Sequence, residues 1–267
     1  MYRLLSLLIA LMTVANIWAQ CNLTNTAFKS GEVLSYSLHF NWKFVWVNVG
    51  TATMSISSSI YNGTPAYHAY LITRGSKTAD KYFIMRDTLE SYVDHQLNPL
   101  YYAKRALEGS SYRVDEAFYT YSGGKTSVKL HHINKHGQHS WATKSMSECI
   151  HDMLSMLLRA RNFDASSYKK GQRLAFNMTD HTEVERRHII YRGKEKFTIE
   201  NTNNTYRCLV FDYVEQEGGK EKTIVTFYIT DDANHIPVRL DMHLKFGSAK
   251  AYLKGMTGIR NKMTSRQ

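Results

Sequence analysis

The sequence predicts a mainly β domain: an antiparallel meander curled into a barrel-like or half-barrel sheet, with one amphipathic helix packed on it or capping it. Apolar residues occupy every second position in many short segments, the pattern of strands with one buried face. Turn signals containing glycine separate these segments at regular intervals. One segment, at about 146–161, has the apolar spacing of a helix instead.

The clearest alternation runs from Leu34 to Trp46, where every even position is apolar. It resumes after Gly50 and continues to Asn62-Gly63. This pair suits a tight hairpin turn because both residue types tolerate positive φ. The N-terminal part of the domain is therefore predicted to be a pair of long strands followed by a hairpin.

The same alternation recurs along the rest of the chain. Two more hairpins are predicted across Gly123-Gly124 and Gly218-Gly219. Further strands are predicted at 84–93, 187–191, 196–200, 238–246 and 250–254. So many successive strands favour a curled sheet, because curling or closure removes exposed strand edges.

The helical segment is the exception to this pattern. Its apolar residues form one stripe: Ile150, Met153, Leu154, Leu157 and Leu158. Ser145 and Glu148 fit a capping box, so we expect a helix at about 146–161. No linker rich in Pro, Gly or Ser divides the chain, and residues 20–267 are predicted to form a single domain.

The first nineteen residues predict export. Arg3 precedes an apolar run from Leu4 to Ile17, and Ile17-Trp18-Ala19 resembles a signal-peptidase site. We therefore expect a signal peptide at 1–19 and a soluble periplasmic product. No later segment approaches the roughly 20 apolar residues of a membrane span, so no transmembrane segment is expected in the mature chain.

Two alternatives to ordinary cleavage remain. The N-terminal segment can be retained as an anchor, or Cys21 can become the acylated N-terminus of a lipoprotein. Lipoprotein signals place a small residue before that cysteine, whereas this chain has Gln20. Cleavage after Ala19 is therefore the preferred interpretation.

Net charge and cysteine content limit the partners and the redox chemistry. The formal charge of +11 favours lipid or other anionic envelope components, although scattered basic residues also suit a merely solvated surface. Nucleic acid is not expected for an exported protein, and the sequence does not determine the oligomeric state. Three cysteines allow one disulfide. Cys149–Cys208 would join the helix to a strand, and free buried thiols are the alternative.

Three blocks of the sequence carry a family resemblance. They are Phe28-x-x-Gly31-Glu32-x-Leu34-x-Tyr36 with Val49-Gly50-x-Ala52; Asp152-Met153-Leu154-Ser155-Met156-Leu157-Leu158-Arg159; and Ile229-Thr230-Asp231-Asp232 with Ile236-Pro237-Val238-Arg239, Gly247 and Leu253. Together they resemble the DUF3108 family of exported proteins. The resemblance implies a β-rich envelope protein of Gram-negative type, and it brings no established catalytic residues.

We expect the family-like positions to be structural. They are Gly31, Glu32, Gly50, Asp152, Arg159, Asp231 and Pro237. The glycines suit bends at strand ends, and the proline suits a strand start. An aspartate in the first helical turn complements the helix dipole. Arg159 is expected to pair with a carboxylate on the sheet.

Two polar groups were considered as sites of chemistry. His132 and His139 can approach each other across a hairpin near His136-Gly137, but no metal is predicted because no helical ligand spacing supports them. The segment Asp180-His181-x-Glu183-x-Glu185 offers acid–base groups, yet the neighbouring arginines favour a salt-bridged strand. No catalytic residue and no cofactor are predicted.

The aromatic lane of the first strand carries the main functional hypothesis. Its members are Tyr36, Phe40, Trp42, Phe44 and Trp46. If the sheet curls without closing, this lane lines an apolar groove. The preferred hypothesis is thus a non-enzymatic exported envelope protein that binds a lipidic or other apolar component in that groove. The alternatives are a structural or assembly partner with a filled core, and a hydrolase active on glycans or cell-wall polymers.

Overall fold

The structure, a computed structural model, describes residues 21–42, 45–199, 203–244 and 247–267. The predicted signal peptide at 1–19, together with Gln20 and Phe44, lies outside the described residues. The elements are β1 (Glu32–Trp42), β2 (Val45–Tyr61), β3 (Thr64–Gly75), a 3-10 helix (Ala79–Lys81), β4 (Met85–Asp94), β5 (Pro99–Glu108), β6 (Ser111–Ser122), β7 (Lys125–Ile133), β8 (His139–Met146), β9 (Ile150–His151), α1 (Met153–Ala160), β10 (Arg173–Asp180), β11 (Glu183–Thr198), β12 (Thr205–Glu217), β13 (Lys220–Thr230), β14 (Pro237–His243) and β15 (Ser248–Thr257).

All fifteen of these strands belong to one sheet. Its order is β8-β7-β6-β5-β4-β3-β2-β1-β15-β14-β13-β12-β11-β10-β9. The sheet therefore has a first arm, β1–β8, and a second arm, β9–β15, joined by the pairing of β1 with β15. The β9–β10 pair is parallel, and the other described strand pairs are antiparallel. The predicted antiparallel meander is confirmed.

The two edges of the sheet approach each other at what we call the seam, between β6–β8 of the first arm and β9–β11 of the second. Side chains bridge it. Lys144 of β8 lies 2.5 Å from the carboxylate of Glu183 on β11. His181, in the β10–β11 turn, reaches Asp115 of β6 at 2.9 Å. The sheet is therefore nearly closed, and the barrel-like prediction is confirmed.

Antiparallel pairing collects the connections at two ends of the barrel. The helix end holds the segment before β1, α1 and the β13–β14 loop, where Arg161 contacts both Glu32 and Asn234. The hairpin end holds the β1–β2, β3–β4 and β14–β15 connections and the β10–β11 turn. The helix end is therefore closed by a buried ion pair, whereas the hairpin end is formed by turns and short connections.

The helix is shorter than the predicted 146–161. Met146 ends β8, and Ile150 pairs with β10 in β9. The capping box is formed by Asp152 and Ser155 and not by Ser145 and Glu148: the Ser155 amide donates to Asp152 Oδ1 at 2.8 Å. Pairing with β10 therefore places Ile150, the first residue of the apolar stripe, in a strand and not in the helix.

The main core lies between the arms and extends to the helix. Leu34, Tyr36 and Leu38 of β1 are buried in it, with Leu154 and Leu158 of α1. The even-numbered lane is thus core as far as Leu38, where a register shift interrupts the β1–β2 ladder. A smaller cluster lies on the second arm: Ala165, Ile189, Tyr191, Leu209, Phe211 and Ile229.

The disulfide joins Cys21 to Cys149, so the predicted Cys149–Cys208 pair is wrong. Between β8 and β9 the chain crosses from one edge of the sheet to the other, and this crossing brings Cys149 to the segment before β1. Cys208 is a buried free thiol on β12. Burial raises its pKa to about 12, so the thiol stays protonated and unreactive at neutral pH.

Candidate functional site

The residues of the aromatic lane occupy different environments. Tyr36 is buried, and its hydroxyl donates to the Pro237 carbonyl at 3.0 Å. Phe40 is half-buried, whereas Trp46 is exposed at the start of β2, and Lys250 Nζ lies 4.2 Å from its ring centroid. Trp42 is the last residue of β1. The lane therefore passes from the core to the surface at the hairpin end.

Most of the large apolar side chains that are exposed in the described part of the chain lie at this hairpin end. We call six of them the apolar rim: Val45, Trp46, Val47, Tyr82, Phe83 and Leu244. They come from the start of β2 and from the β3–β4 and β14–β15 connections. The Ser76 amide donates to the Val49 carbonyl at 2.7 Å, which ties the β3–β4 connection to β2. Pairing of Phe40 with Ala249 brings in the β14–β15 connection.

A basic depression of about 430 Å³ lies on the outer face of the first arm, and Arg86 in its lining pairs with Asp80, two residues before Tyr82 of the rim. Arg74, Arg86 and Arg105 contribute to its lining. Arg86 pairs with Asp80, and Arg105 lies 2.8 Å from Glu90. The guanidinium of Arg74 donates to the Thr73 and Asp87 carbonyls, at 3.0 and 3.4 Å. A carbonyl does not neutralise a guanidinium, and the Asp87 carboxylate interacts with Arg74 without a direct ion-pair contact, so the exposed guanidinium is accessible to an anion.

The histidines of β7 lie on opposite faces of the sheet. His131 lies on the outer face, 2.8 Å from Glu116 and 2.9 Å from His139. His132 shares the core-facing side of β7 with Leu130, by strand alternation. The candidate metal pair of His132 and His139 is therefore wrong, because the sheet separates the two side chains.

His132 instead meets two residues that its sequence spacing does not indicate. Asp115 lies directly opposite it on β6, with His132 Nδ1 2.7 Å from Asp115 Oδ1. His181 approaches the same oxygen from across the seam, at 2.9 Å. One ligand atom from each of the three residues lies within 4.8 Å of the others. Two imidazoles and one carboxylate thus converge at the hairpin end of the seam.

The acid–base segment before and within β11 is held in ion pairs. Arg187 lies 2.7 Å from Glu185, 3.1 Å from Asp180 and 3.5 Å from Glu215. Glu183 bonds to Lys144 across the seam. These contacts match the salt-bridged interpretation of the segment and give its carboxylates a structural role.

The family-like positions gather mainly at the helix end. Glu32 is 1 % exposed and forms a two-pronged ion pair with Arg161, with one Nη2–Oε2 distance of 3.0 Å. Arg161 also donates to the Asn234 carbonyl, at 3.1 and 3.0 Å. The expected arginine was Arg159, which instead donates to the Cys21 carbonyl. Arg161, two residues further along the chain, is the C-cap residue of α1, and it is this arginine that pairs with the buried Glu32 carboxylate.

The other family-like positions also have structural explanations. Gly31 has φ +90, where other residues are strained. A Cβ on Gly50 would lie 2.1 Å from the Arg74 carbonyl oxygen, so β2 and β3 can approach this closely only at glycine. Asp231 pairs with Lys194 at 3.0 Å. Pro237 begins β14, as expected.

Two adjacent buried groups give the helix end opposing responses to pH. Burial, with Arg159 nearby, lowers the pKa of His151 to about 3. Burial raises the pKa of Asp152 to about 6, against hydrogen bonds from Ser155 and Ser91. The His151 contribution to stability is fully present above its unfolded value near 6.5 and is lost as pH falls towards 3. The Asp152 contribution is present below about 3.8 and is lost as pH rises through 6.

When the pH is lowered from 7.5 to 4.5, the wild type loses the His151 contribution to its free energy of unfolding, and His151→Gln has no such contribution to lose. The free energy of unfolding of the variant should therefore rise by about 2 kcal/mol relative to that of the wild type over this pH change. Asp152→Asn keeps a capping side chain. Its free energy of unfolding relative to that of the wild type should fall by a similar amount over the same pH change. Urea unfolding at the two pH values measures both. Parallel shifts of the two variants would contradict these assignments.

The sequence did not indicate Arg161, Asp115 or Arg74 as candidate residues. Each acts through a partner distant in the chain or through a neighbouring strand. The local signals are charge at strand positions for Asp115 and Arg74 and a basic residue at the end of the predicted helix for Arg161. Both also describe ordinary solvated positions.

The family model described as "Protein of unknown function (DUF3108)" matches residues 35–254, most of the chain. The chain belongs to the DUF3108 family. The match includes the aromatic lane, α1 and the seam residues of this DUF3108 chain. The sequence has no significant match among curated proteins.

Two solved structures are similar to this DUF3108 chain to different degrees. A beta-barrel-like protein of the DUF1849 domain from Brucella abortus is 12% identical, with a TM-score of 0.58, covering 88% of this chain and 100% of its own. A Bacteroides fragilis protein described as exported and YmcC-like in fold is 8% identical, with a TM-score of 0.33 and coverage of 88% and 99%. The Brucella structure supports the barrel-like architecture. In the part of the chain that is described, no helix has the length and apolarity to span a bilayer.

Proposed function

We propose that this DUF3108 chain is an exported, non-enzymatic envelope protein that binds anionic membrane surfaces through its hairpin end. The observation that carries the proposal is the apolar rim beside the basic depression. In this proposal the barrel is a scaffold, and the lipid contact is made by its end and not by its interior.

Two features support export. The N-terminal signal pattern predicts it, and the Cys21–Cys149 disulfide suits an oxidising compartment. The disulfide also uses the Cys21 sulfur, which a lipoprotein would need for its thioether-linked lipid. A cleaved, unacylated periplasmic protein therefore fits these observations better than a lipoprotein.

The composition of the rim suits the interface of a bilayer better than bulk water. Tryptophan and tyrosine favour the headgroup region because each combines an apolar ring with a polar tip. Trp46 and Tyr82 provide such rings, and Val45 provides purely apolar surface that is 60% exposed. Exposed apolar surface from neighbouring loops commonly marks an interaction site.

Charge supplies the reason for choosing an anionic lipid partner. Lys250 lies over the Trp46 ring, and the exposed Arg74 lines the depression with its guanidinium on two backbone carbonyls. The chain as a whole carries a formal charge of +11. A basic residue near an anionic bilayer contributes about 1 kcal/mol to binding.

The interior favours surface binding over the internal groove. Tyr36, the first member of the lane, is packed in the main core with Leu34 and Leu38. The basic depression and a second one of about 200 Å³, beside Asp231, are open to solvent and partly polar. An acyl-chain carrier requires an enclosed apolar cavity, and neither depression is of that kind. We therefore favour a scaffold with a filled core and an external lipid contact.

The test compares two exposed β-branched residues at opposite ends of β2. Val45→Asp should weaken binding to vesicles of phosphatidylcholine mixed with phosphatidylglycerol by about tenfold, since it removes apolar contact and adds repulsion. Ile60→Asp, at the opposite end of the strand and 70% exposed, should bind like the wild type. Vesicle co-sedimentation measures both variants.

Arg74→Gln tests the charge component separately. We expect about fivefold weaker binding to the anionic vesicles and no change with pure phosphatidylcholine. Equal losses in Val45→Asp and Ile60→Asp, or equal wild-type binding to both vesicle types, would overturn the proposal.

A further inference from the structure

The convergence of Asp115, His132 and His181 is not explained by lipid binding. His132 Nδ1 and His181 Nδ1 lie 2.7 and 2.9 Å from the same oxygen, Asp115 Oδ1. The two imidazole rings lie 4.4 Å apart. Nitrogen and carboxylate oxygen ligands of this kind suit Zn²⁺, which keeps a fourth position for water when three protein ligands are present.

Two of the three ligand spacings, those to Asp115, require only a small adjustment. The third, between the two imidazole nitrogens, is within 4.8 Å. Ligands of a tetrahedral zinc ion lie about 3.3 Å from one another, since each is about 2.0–2.1 Å from the metal. The observed contacts must therefore lengthen by about half an ångström. His181 also lies 3.8 Å from Asp180 through its other ring nitrogen. A carboxylate in this place can orient a metal-bound imidazole.

The backbone at His181 supplies independent support. His181 has φ +51 in the two-residue turn that joins Asp180 to Glu183. Asparagine and glycine suit this position, whereas most other residues are strained there by about 1 kcal/mol or more. Strain at an exposed turn is retained where the side chain has a use. Here the side chain crosses the seam to Asp115.

We propose that Asp115, His132 and His181 bind one divalent zinc ion, and that the ion fastens the seam. Asp115 and His132 belong to the first arm, and His181 to the second. The seam edges β8 and β9 are the two ends of the hydrogen-bonded strand order. A metal shared by the arms would therefore restrict their separation at the hairpin end.

Zinc titration of the chelator-treated full chain by calorimetry tests the site. We expect one equivalent to bind, and binding to weaken at least tenfold in His181→Asn. Asparagine suits the turn, so the metal-free variant should melt at or above the wild-type temperature. His139→Asn, in the outer-face histidine pair, should bind zinc like the wild type.

The fastening role has its own measurement. Zinc should slow amide hydrogen exchange in β8 and in the β10–β11 turn of the wild type, and it should have no such effect in His181→Asn. Unchanged exchange with full zinc binding would overturn the fastening role. Zinc binding that persists in His181→Asn, that disappears in His139→Asn, or that is absent in the wild type would overturn the site.

Discussion

Glu32→Gln is expected to lower the free energy of unfolding by about 3–5 kcal/mol, because it leaves the buried charge of Arg161 without its counter-ion. Arg161 is fully buried and Glu32 is 1 % exposed, so water cannot replace the lost partner. The remaining acceptors are the Asn234 carbonyl and the amide oxygen of the substituted side chain, and both are neutral. Urea unfolding at pH 7.5 measures the loss.

A more exposed ion pair provides the matched control. Glu90→Gln removes one of the two carboxylate partners of Arg105, whose side chain is 38% exposed and keeps Glu116 at 3.4 Å. Solvent screens that pair, so the loss should stay below about 1 kcal/mol. The double variant Glu32→Leu with Arg161→Met should recover much of the stability, because it removes both buried charges. A loss in Glu32→Gln no larger than that in Glu90→Gln would contradict this account.

The energetic importance of Arg161 follows from the segments it joins. It links β1 and the C-terminal end of α1 to the β13–β14 loop through Asn234. Asn234 in turn exchanges two hydrogen bonds with the backbone of Asn261, at 2.8 and 3.1 Å. Chain segments far apart in sequence therefore close the helix end together. This gives a physical reason for the family-like pattern around Glu32.

The architecture was predictable because alternation and turn chemistry are local. The turns at Asn62-Gly63, Gly123-Gly124 and Gly218-Gly219 lie between paired strands, as predicted. The segments predicted at 187–191 and 196–200 are joined in β11, because a register shift beside Gly193 lets one strand continue. Gly193 lies in the gap between the two predicted segments, and in the structure it lies beside a bulge within one continuous strand.

The candidate site was less predictable because it depends on how the sheet curls. Asp115 and His181 are 66 residues apart and belong to different arms. No spacing rule connects them. The same limit applies to Trp46: its even position predicts the buried face, but the register shift after Leu38 precedes an exposed hairpin. Local alternation cannot show where a strand leaves the body of the domain.

The disulfide is the second feature with a large expected effect. It joins residues 128 positions apart, so it restricts much of the unfolded chain. The chain-entropy relation gives a stabilisation of roughly 5 kcal/mol for a loop of this length. The segment that crosses from β8 leads into β9, a strand of only two residues that contributes few backbone hydrogen bonds. The covalent link therefore holds the crossing segment against the helix end.

Cys149→Ser is expected to lose up to about 5 kcal/mol of unfolding free energy in urea, and Cys21→Ser should lose the same amount. Cys208→Ala should lose only about 1 kcal/mol, because it removes one buried sulfur atom and no cross-link. Reducing agent should lower the stability of the wild type and Cys208→Ala, but not of Cys149→Ser. A large loss in Cys208→Ala that reduction does not increase would instead favour a Cys149–Cys208 bond. An intact mass that includes acyl chains would show that Cys21 is lipidated and cannot form the cross-link.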